Sequence, residues 1–321
     1  MGGVFPYYSK LDFLLFSRYI GNDINIVPEA ISHNIIEPIL NPVEYRRFYE
    51  DKNMFDKVLP EGYLPKTLFR RIRGIYEDIY YNRIELSDGV IKSLCEKYEN
   101  VIVKPTVGSS SGKGVQVYSS KKLTLTILEN EYEGDFIVQE ALTQHPYLAQ
   151  FNSTSINTIR ILVYKSPLTN LCTVINSAIR IGKKGSFLDN AHAGGLIVGI
   201  KDNGKLADYA VNQYGDKFKE VNELQLNSKE FIIPEYDCVK QFACDVASRI
   251  IHHHLFSLDI AICQSASGKI KPILIEYNLS SLGTWVWQYS NKPAFGDLTD
   301  EILEYCKNNI QKAVKVFSMR N

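Results

Sequence analysis

The first part of the chain shows mainly helical patterning of apolar and polar positions. The stretch LDFLLFSRYI, residues 11–20, reads as a helix. Residues 41–72 look helical at first and then turn at Pro60, Gly62 and Pro65. This part of the chain is therefore predicted to be helical, with turns near its end.

From Val101 the pattern changes to short β-branched runs, among them VIVKP, FIVQEAL, TIRILVYK and CTVINSAIRIG. Most are bounded by Gly, Ser, Asn or Pro, which is typical of antiparallel strands. Residues 235–255 carry apolar positions at helical spacing. A last helix is predicted for residues 299–317, capped by Asp297 or Thr299. This order predicts an α+β fold and not a regular βαβ alternation.

One predicted hairpin brings three oxygen-bearing side chains to a single sheet face. In ILIEYN, residues 273–278, Glu276 and Asn278 lie two positions apart and so share a face. A two-residue turn at Ser267-Gly268 would pair this strand with FSLDIAIC, so that Asp259 faces Glu276.

Two facing carboxylates repel each other, and the repulsion has to be offset. A hard divalent cation with oxygen ligands, Mg²⁺ or Mn²⁺, would offset it. A solvated sheet face with a loosely paired Asp and Glu is the alternative, and the strand pattern alone does not choose between the two.

A loop rich in glycine and serine separates two β runs in VIVKPTVGSSSGKGVQVY, residues 101–118. It is not a Walker A loop, because GSSSGK is one residue short and Gly114 follows the lysine. Backbone N–H groups near Gly108 and Gly112, with the charge of Lys113 and of Lys104 on the preceding strand, could cover a polyphosphate. A flexible hairpin loop is the alternative.

Two arginines lie on otherwise apolar strands, Arg160 in NTIRILVY and Arg180 in INSAIRIG. Burying a guanidinium is costly unless it meets an anion. A single such arginine could reach water at a sheet edge, whereas two on successive strands favour a phosphate or carboxylate clamp.

Composition limits the class of protein. The 321 residues suggest about two domains or one bilobed domain. Lys+Arg and Asp+Glu balance at 36 each, which gives no indication of a nucleic-acid partner. No apolar run is long enough to span a membrane. MGGVFPYYSK lacks a signal-peptide core, and the six cysteines form no CxxC pair, so we expect a cytoplasmic protein with reduced thiols.

Taken in order, these features resemble the ATP-grasp superfamily: a strand lysine, a Gly/Ser loop, IVQEAL, strand arginines, then Asp259 and Glu276-x-Asn278. QEALTQHPYLAQFNSTSINTIRI followed by NAHAGGLIVGI resembles the branch called sugar-transfer associated ATP-grasp. The resemblance covers roughly residues 45–310. The first 40–50 residues depart from the pattern, since they show no clear Rossmann-like domain.

The resemblance implies two α+β lobes with antiparallel sheets that clasp ATP, after a short helical N-terminal region. The expected division is 1–45, 46–140 and 141–321. Asp259, Glu276 and Asn278 would hold Mg²⁺ (or Mn²⁺), and Arg160 and Arg180 would be the catalytic cations. The implied nucleotide-binding residues are Lys104, Gly108, Ser109, Ser110, Ser111, Gly112, Lys113, Gln139, Glu140, Ala141, Leu142 and His145, with Lys52 as a further candidate.

The activity implied by the resemblance is ATP-dependent ligation of a carboxylate to an amine, or to a thiol, through an acyl phosphate. The partners would be a small-molecule or sugar-linked carboxylate and an amine acceptor. The implied setting is the synthesis of a surface polysaccharide or of a secondary metabolite. Two alternatives stay open: an ATP-grasp phosphotransferase acting on a hydroxyl, and a nucleotide-binding protein without turnover.

Overall fold

The structure is a computed structural model, and it describes residues 10–109, 112–185 and 194–313. The chain forms two compact units, Phe48–Thr143 and a discontinuous unit of Met1–Arg47 and Gln144–Asn321. The three-part division expected from the sequence stays a prediction. The α+β class is confirmed, because antiparallel sheets in both units pack against helices.

Helices occur at both ends of the chain and between the strands. The helices are α1 (Lys10–Ile20), α2 (Glu29–Ile31), α3 (Glu37–Leu40), α4 (Val43–Glu50), α5 (Phe55–Val58), α6 (Asp88–Cys95), α7 (Leu125–Glu131), α8 (Pro146–Ala149), α9 (Tyr236–Arg249), α10 (Thr284–Ser290) and α11 (Thr299–Asn308). A π turn, Ser32–Ile36, joins α2 to α3, and 3₁₀ turns occupy Lys52–Met54 and Gly296–Leu298.

The unit Phe48–Thr143 contains a five-stranded sheet in the order β2-β1-β5-β3-β4. Its strands are β1 (Thr67–Ile72), β2 (Ile75–Glu77), β3 (Asn100–Pro105), β4 (Gln116–Ser119) and β5 (Phe136–Glu140). Val101, Val103 and Val138 belong to a buried core that includes Ile91 of α6 and Leu128 of α7. Since side chains alternate along a strand, the opposite face of the same sheet carries the even-numbered residues of β3.

The discontinuous unit contains a seven-stranded sheet in the order β10-β9-β8-β7-β6-β13-β14. The strands are β6 (Ile159–Lys165), β7 (Cys172–Ile181), β8 (Leu196–Ile200), β9 (Leu206–Val211), β10 (Lys217–Phe218), β13 (Leu255–Gln264) and β14 (Ile270–Asn278), beside a small ribbon of β11 (Glu220–Val221) and β12 (Leu224–Gln225). One face packs on the N-terminal helices, α10 and α11. Helix α9 packs against β6, β7 and β14.

The N-terminal helices are an integral part of this second core. Ile36 and Leu40 have no exposed surface and share a cluster with Leu162 and Ala178 of the sheet. Burial of each such aliphatic side chain stabilises the fold by roughly 1.5–3 kcal/mol. Helix α10 lies so close to β8 that a Cβ added at Gly199 would come within 2.0 Å of the Ser290 carbonyl oxygen. Only glycine therefore permits this approach.

The secondary structure differs from the prediction at three places. Strand β1 follows the predicted turn at residues 60–65 and was not predicted; it carries two buried arginines, Arg70 and Arg71. The Arg70 guanidinium donates to the Asn53 carbonyl oxygen and to the Asp56 carboxylate. Helix α9 ends at Arg249 and not near residue 255, since β13 begins at Leu255.

The last helix also differs from its prediction. It begins after Leu298, which makes no side-chain cap bond. Helix α11 ends at Asn308, residues 310–313 are again helical, and the predicted end at residue 317 lies outside the described residues. Asp297 lies in the preceding 3₁₀ turn, and the Thr299 hydroxyl donates to the Gly296 carbonyl oxygen at 2.6 Å. The Thr299 side chain therefore binds the turn that precedes the helix and does not cap the helix.

Candidate functional site

The hairpin of β13 and β14 places three oxygen-bearing side chains on one face of the larger sheet. Asp259 is the direct cross-strand partner of Glu276, and Ser257 is the partner of Asn278. The facing of Asp259 and Glu276 expected from the sequence is confirmed. The three ligand candidates share a face, as a common cation would require.

The turn that was expected to set this register is wrong by one residue. Gln264 pairs with Ile270, the Ser265 amide donates to the Lys269 carbonyl oxygen at 2.8 Å, and Gly268 takes a left-handed φ of 82°. Ile275 is then an extra residue, since Ile260 pairs with Leu274 while Asp259 pairs with Glu276. This bulge shifts the register back by one position, so the two offsets cancel.

Two arginines of neighbouring strands hold the Asp259 carboxylate. Arg160 donates from Nε to Oδ1 at 2.8 Å and from Nη2 to Oδ2 at 2.7 Å, in a bidentate pair. Arg180 donates from Nη1 to Oδ2 at 2.8 Å. Arg160 is the cross-strand partner of both Asp259 and Ala178, which places Arg180, two residues after Ala178, on the same face. Planar bidentate pairs of this kind are among the stronger charge-assisted hydrogen bonds.

These guanidinium groups control the charge of Asp259. Burial by itself would raise the pKa of the Asp259 carboxyl, but the charges and hydrogen bonds of Arg160 and Arg180 outweigh burial and lower that pKa to about 2. Asp259 is therefore ionised at neutral pH. The repulsion between Asp259 and Glu276, for which the sequence suggested a cation, is offset on the Asp259 side by arginine.

The donor set fits a hard cation. Each carboxylate oxygen has two lone pairs, and the three arginine bonds to Asp259 leave one lone pair on Oδ1. Asn278 donates from Nδ2 to the Ser257 carbonyl oxygen at 3.4 Å, which leaves its amide oxygen as the ligand atom. Within residues 10–109, 112–185 and 194–313, no three His, Cys, Asp or Glu side chains form a metal-binding group. A cation here would thus use two carboxylates and an amide, a set that suits Mg²⁺.

In the unit Phe48–Thr143, a buried lysine contacts the Gly/Ser loop. Lys52 is 6% exposed and donates from Nζ to the Ser109 hydroxyl at 2.8 Å, and its amide donates to the Thr106 carbonyl oxygen at 3.0 Å. Gly108 and Gly112 adopt left-handed φ values of 69° and 75°. The loop therefore turns through conformations that suit glycine, with an ammonium group at its base.

Lys104 and Gln139 lie on the sheet face opposite the core of that unit. Gln139 is the cross-strand partner of Ile102, and Lys104 lies two residues after Ile102 on β3, so the side chains of Gln139 and Lys104 point to the same face. Lys104 is 7% exposed. Gln139 donates from Nε2 to the Pro65 carbonyl oxygen and to the Thr67 hydroxyl, each at 3.2 Å. A carbonyl can only accept, so this orientation is fixed, and the buried Gln139 Oε1 has no hydrogen-bond partner in the described part of the chain.

A family model described as sugar-transfer associated ATP-grasp matches residues 33–303. The chain belongs to this family. The match covers most of the chain and confirms the resemblance seen in the order of its motifs.

One solved structure shows the same fold at low identity, and others resemble the chain more weakly. A biotin carboxylase–β-γ-ATP complex from Campylobacter jejuni is 12% identical with a TM-score of 0.51, over 84% of this chain and 48% of that one. The D-alanine–D-alanine ligase from Coxiella burnetii is 12% identical (TM-score 0.47; 87% and 64% covered), and an ATP-grasp ligase PsnB with precursor variant, Mg and ADP is 13% identical (TM-score 0.46; 83% and 61%). The chain thus spans less than two thirds of each. No curated protein matches it significantly.

The remaining predicted nucleotide residues of this ATP-grasp chain have varied surroundings. Glu140 accepts from the Lys66 amide at 2.9 Å, and the Ala141 amide donates to the Asn100 carbonyl oxygen at 3.3 Å. His145 accepts at Nδ1 from the Tyr147 amide at 3.2 Å and so caps α8. Lys113 is exposed and Leu142 is half-buried. Ser110 and Ser111 lie outside the described residues. All these roles stay predictions.

An open cavity of about 360 Å³ lies at the other end of the large sheet, lined by Ile181, Lys183, Gly194 and Tyr214 among others. Ile181 pairs with Leu196, also in the lining, whereas Arg180 pairs with Ile197. Adjacent residues point to opposite faces, so the cavity lies on the face opposite the Arg180 side chain. In the part of the chain that the structure describes, no helix is both long and apolar enough to cross a membrane.

The side chains that hold the segment of Lys52 in place could not be recognised from the sequence. Asp56, one turn beyond Lys52, accepts from Arg70 and from the Tyr81 hydroxyl, and Arg70 stacks 4.1 Å from the Tyr81 ring centre. Arg70 is fully buried on β1, a strand that the sequence pattern did not predict. This ion pair fixes the segment that carries Lys52, and its residues are too scattered along the chain to form a motif.

Proposed function

We propose that this ATP-grasp protein uses ATP and Mg²⁺ to join a carboxylate to an amine, or to a thiol, through an acyl phosphate. The observation that carries the proposal is the face shared by Asp259, Glu276, Asn278, Arg160 and Arg180. Carboxylate and amide oxygens beside strand arginines suit a reaction in which phosphate charge is bound and neutralised.

In the proposed mechanism Asp259, Glu276 and Asn278 hold Mg²⁺ through oxygen atoms. When bound, the cation supplies charge neutralisation for the phosphate oxygens. Arg180 donates one hydrogen bond to Asp259, and its positive charge would attract a phosphate or carboxylate bound at this face. Arg160 uses two donors on Asp259 and mainly fixes the orientation of that carboxylate.

The proposed nucleotide contacts come from the unit Phe48–Thr143. Lys104 and Lys52 supply positive charge, and the loop from Gly108 to Lys113 supplies backbone N–H groups for phosphate oxygens. The unpartnered Oε1 of Gln139 is an acceptor that fits the amino group of adenine. An acceptor fixed at this position would repel the carbonyl oxygen of guanine.

The proposed chemistry has two balanced steps. A substrate carboxylate oxygen attacks the γ-phosphorus, the bond to the β-phosphate oxygen breaks, and ADP leaves. The amine then attacks the acyl carbon, phosphate leaves with the bonding electron pair, and the amine loses a proton as the amide forms. The protein contributes positioning and charge stabilisation, and neither step needs a covalent enzyme intermediate.

The test is to incubate the protein with Mg²⁺, ATP and a panel of carboxylates and amines, including uronic acids and other sugar-linked acids. Ligation releases ADP and free phosphate in equal amounts and forms an amide seen by mass spectrometry. Phosphate that stays on an acceptor hydroxyl would instead identify a phosphotransferase. Nucleotide binding without ADP release across the panel would contradict both enzymatic functions.

A separate prediction concerns Lys104. Lys104→Met keeps the apolar stem and removes the charge, so we expect the Kd for ATP to rise about 10- to 100-fold, the effect of losing one charge-assisted hydrogen bond. Calorimetric titration with ATP measures it. Lys92→Ala, on the exposed surface of α6, is the matched control and should bind ATP like the wild type. Equal affinities in the two variants would show that Lys104 does not bind the nucleotide.

A further inference from the structure

A short N-terminal segment, residues 27–41, hydrogen-bonds the ends of the two strands that carry the metal-ligand candidates. Asn41 is 1% exposed and uses its whole amide for this purpose. Its Nδ2 donates to the carbonyl oxygens of Leu255 at 2.6 Å and Leu279 at 2.8 Å. Its Oδ1 accepts from the amides of His254 and Leu255, each at 3.1 Å. Asn41 thus ties the first residue of β13 to the residue that follows Asn278.

Glu37 holds the loop that continues from β14. This carboxylate, 3% exposed, accepts from the Ser281 amide at 2.6 Å and from the Leu282 amide at 3.3 Å. Ser281 has a left-handed φ of 52°, unusual for a residue with a side chain. Successive N–H groups around such a residue form a concave site for an anion, and here the anion is the protein's own carboxylate.

The same segment also holds the start of α10. Glu29 accepts from the Trp285 amide at 3.1 Å and from the Thr284 hydroxyl. Gln288 donates to the Val27 carbonyl oxygen and accepts from the Val27 amide, both at 2.9 Å. The chain that leaves β14 is thus held along residues 279–288 by side chains and backbone of one N-terminal segment.

Apolar packing alone does not account for this arrangement. Burying a carboxylate is costly, and a core helix could pack equally well through Ile36 and Leu40 without Glu37. A left-handed non-glycine residue costs of order 1 kcal/mol or more and persists only where surrounding contacts fix it. The segment also contains the π turn Ser32–Ile36, a rare conformation that often occurs at functional sites.

We propose that residues 27–41 form a positioning element for the metal site, with Asn41 and Glu37 as its positioning residues. They fix the strand end at Asn278 against the start of β13, so that the three ligand oxygens keep one geometry. The inference rests on the proposed function, because it assumes that Asp259, Glu276 and Asn278 bind the cation. It assigns a role to the N-terminal region that the family motifs leave without one.

The test measures binding of Mn²⁺ in the presence of ADP by electron paramagnetic resonance, at a temperature where every variant is folded. Glu37→Ala should weaken Mn²⁺ binding about tenfold, as expected for the loss of one to two hydrogen bonds that orient the ligands. Glu37→Gln, which keeps the shape and one acceptor oxygen, should restore most of the affinity. Asn41→Leu should weaken binding at least as much as Glu37→Ala.

The matched control is Glu301→Ala in the same unit. Glu301 accepts hydrogen bonds from the Tyr164 and Ser166 hydroxyls, so its loss should lower the melting temperature and leave Mn²⁺ affinity unchanged. If Glu37→Ala behaves like Glu301→Ala, the segment is purely structural and the inference is wrong. If Glu37→Ala does not fold, Glu37→Gln decides: we expect a small but measurable loss of affinity, and wild-type affinity overturns the inference.

Glu276→Gln separates this inference from the proposed function. If it abolishes Mn²⁺ binding while Glu37→Ala and Asn41→Leu leave binding intact, the metal site stands and only the positioning role fails. If Glu276→Gln binds Mn²⁺ like the wild type, the proposed metal site is wrong and the positioning role is overturned with it.

Discussion

Asp259→Asn is expected to lower the free energy of unfolding by about 3–5 kcal/mol at pH 7, the range seen when one partner of a buried ion pair is removed. The variant keeps the side-chain volume but leaves two guanidinium groups, 20% and 13% exposed, facing an uncharged amide. Arg160 and Arg180 would then lose the carboxylate to which both donate. Urea denaturation at pH 7 measures the loss.

The pH dependence of the free energy of unfolding provides a second, independent test of the ion pair between Asp259 and the two arginines. The pKa of Asp259 is lowered from its ordinary value of 3.8 to about 2, so its ionisation stabilises the fold above about pH 4. That contribution is lost as the pH falls through about 2, because both folded and unfolded forms are then protonated. The stability difference between wild type and Asp259→Asn should be constant from pH 5 to 8 and shrink toward pH 2.

Asp237→Asn is the matched control for this prediction. Asp237 pairs with Lys240 at 2.8 Å but is 95% exposed, and such surface pairs contribute about 0–1 kcal/mol. A loss at Asp259 no larger than that at Asp237 would show that the arginine clamp does not stabilise the fold.

The hairpin of β13 and β14 shows what local sequence can and cannot determine. The alternation in ILIEYN correctly predicted that Glu276 and Asn278 share a face, because a strand's period of two is a local property. The turn was misplaced by one residue, and the bulge at Ile275 had no sequence signal. The right pairing was therefore reached through two offsets that cancelled.

Contacts between distant parts of the chain could not be predicted. Arg160 was recognised as a strand arginine that needs an anion, but its partner Asp259 is 99 residues away and was assigned to the cation alone. The roles of Glu37 and Asn41 carried no signal, since the groups near β13 and after β14 that they bind lie more than 210 residues further along. Whether two segments this far apart in sequence come into contact depends on how the whole unit packs. The pattern of a single strand or helix carries no information about that packing.

The family match identifies the family of the chain, whereas the site geometry supports the proposed function. The match over residues 33–303 establishes the family, and the fold agrees with it. The shared face of Asp259, Glu276 and Arg180 is observed in this chain itself, so it can be tested without reference to the relatives. The decisive experiment should therefore change the charge of that face and leave the fold unaltered.

Glu276→Gln is expected to reduce ATP turnover about 10²- to 10³-fold, the range found when one group that stabilises transition-state charge is removed, because Glu276 would hold the cation that neutralises the phosphate oxygens. It removes a charge and keeps the volume, and Glu276 is half-buried, so we expect stability in EDTA within about 1 kcal/mol of the wild type. Loss of the facing charge also relieves repulsion with Asp259, which opposes any destabilisation. Steady-state release of ADP against Mg²⁺ concentration measures the effect.

Thermal unfolding with and without Mg²⁺ and ADP makes this result specific to the cation. A ligand that binds only the folded state raises its stability, by about 2.7 kcal/mol at a concentration 100 times its Kd. Mg²⁺ should therefore shift the melting temperature of the wild type and of Glu304→Gln, an exposed control on α11, but hardly that of Glu276→Gln. Normal turnover and a normal Mg²⁺ shift in Glu276→Gln would place the cation elsewhere, because a site built from two carboxylates and an amide cannot lose one carboxylate charge without losing affinity.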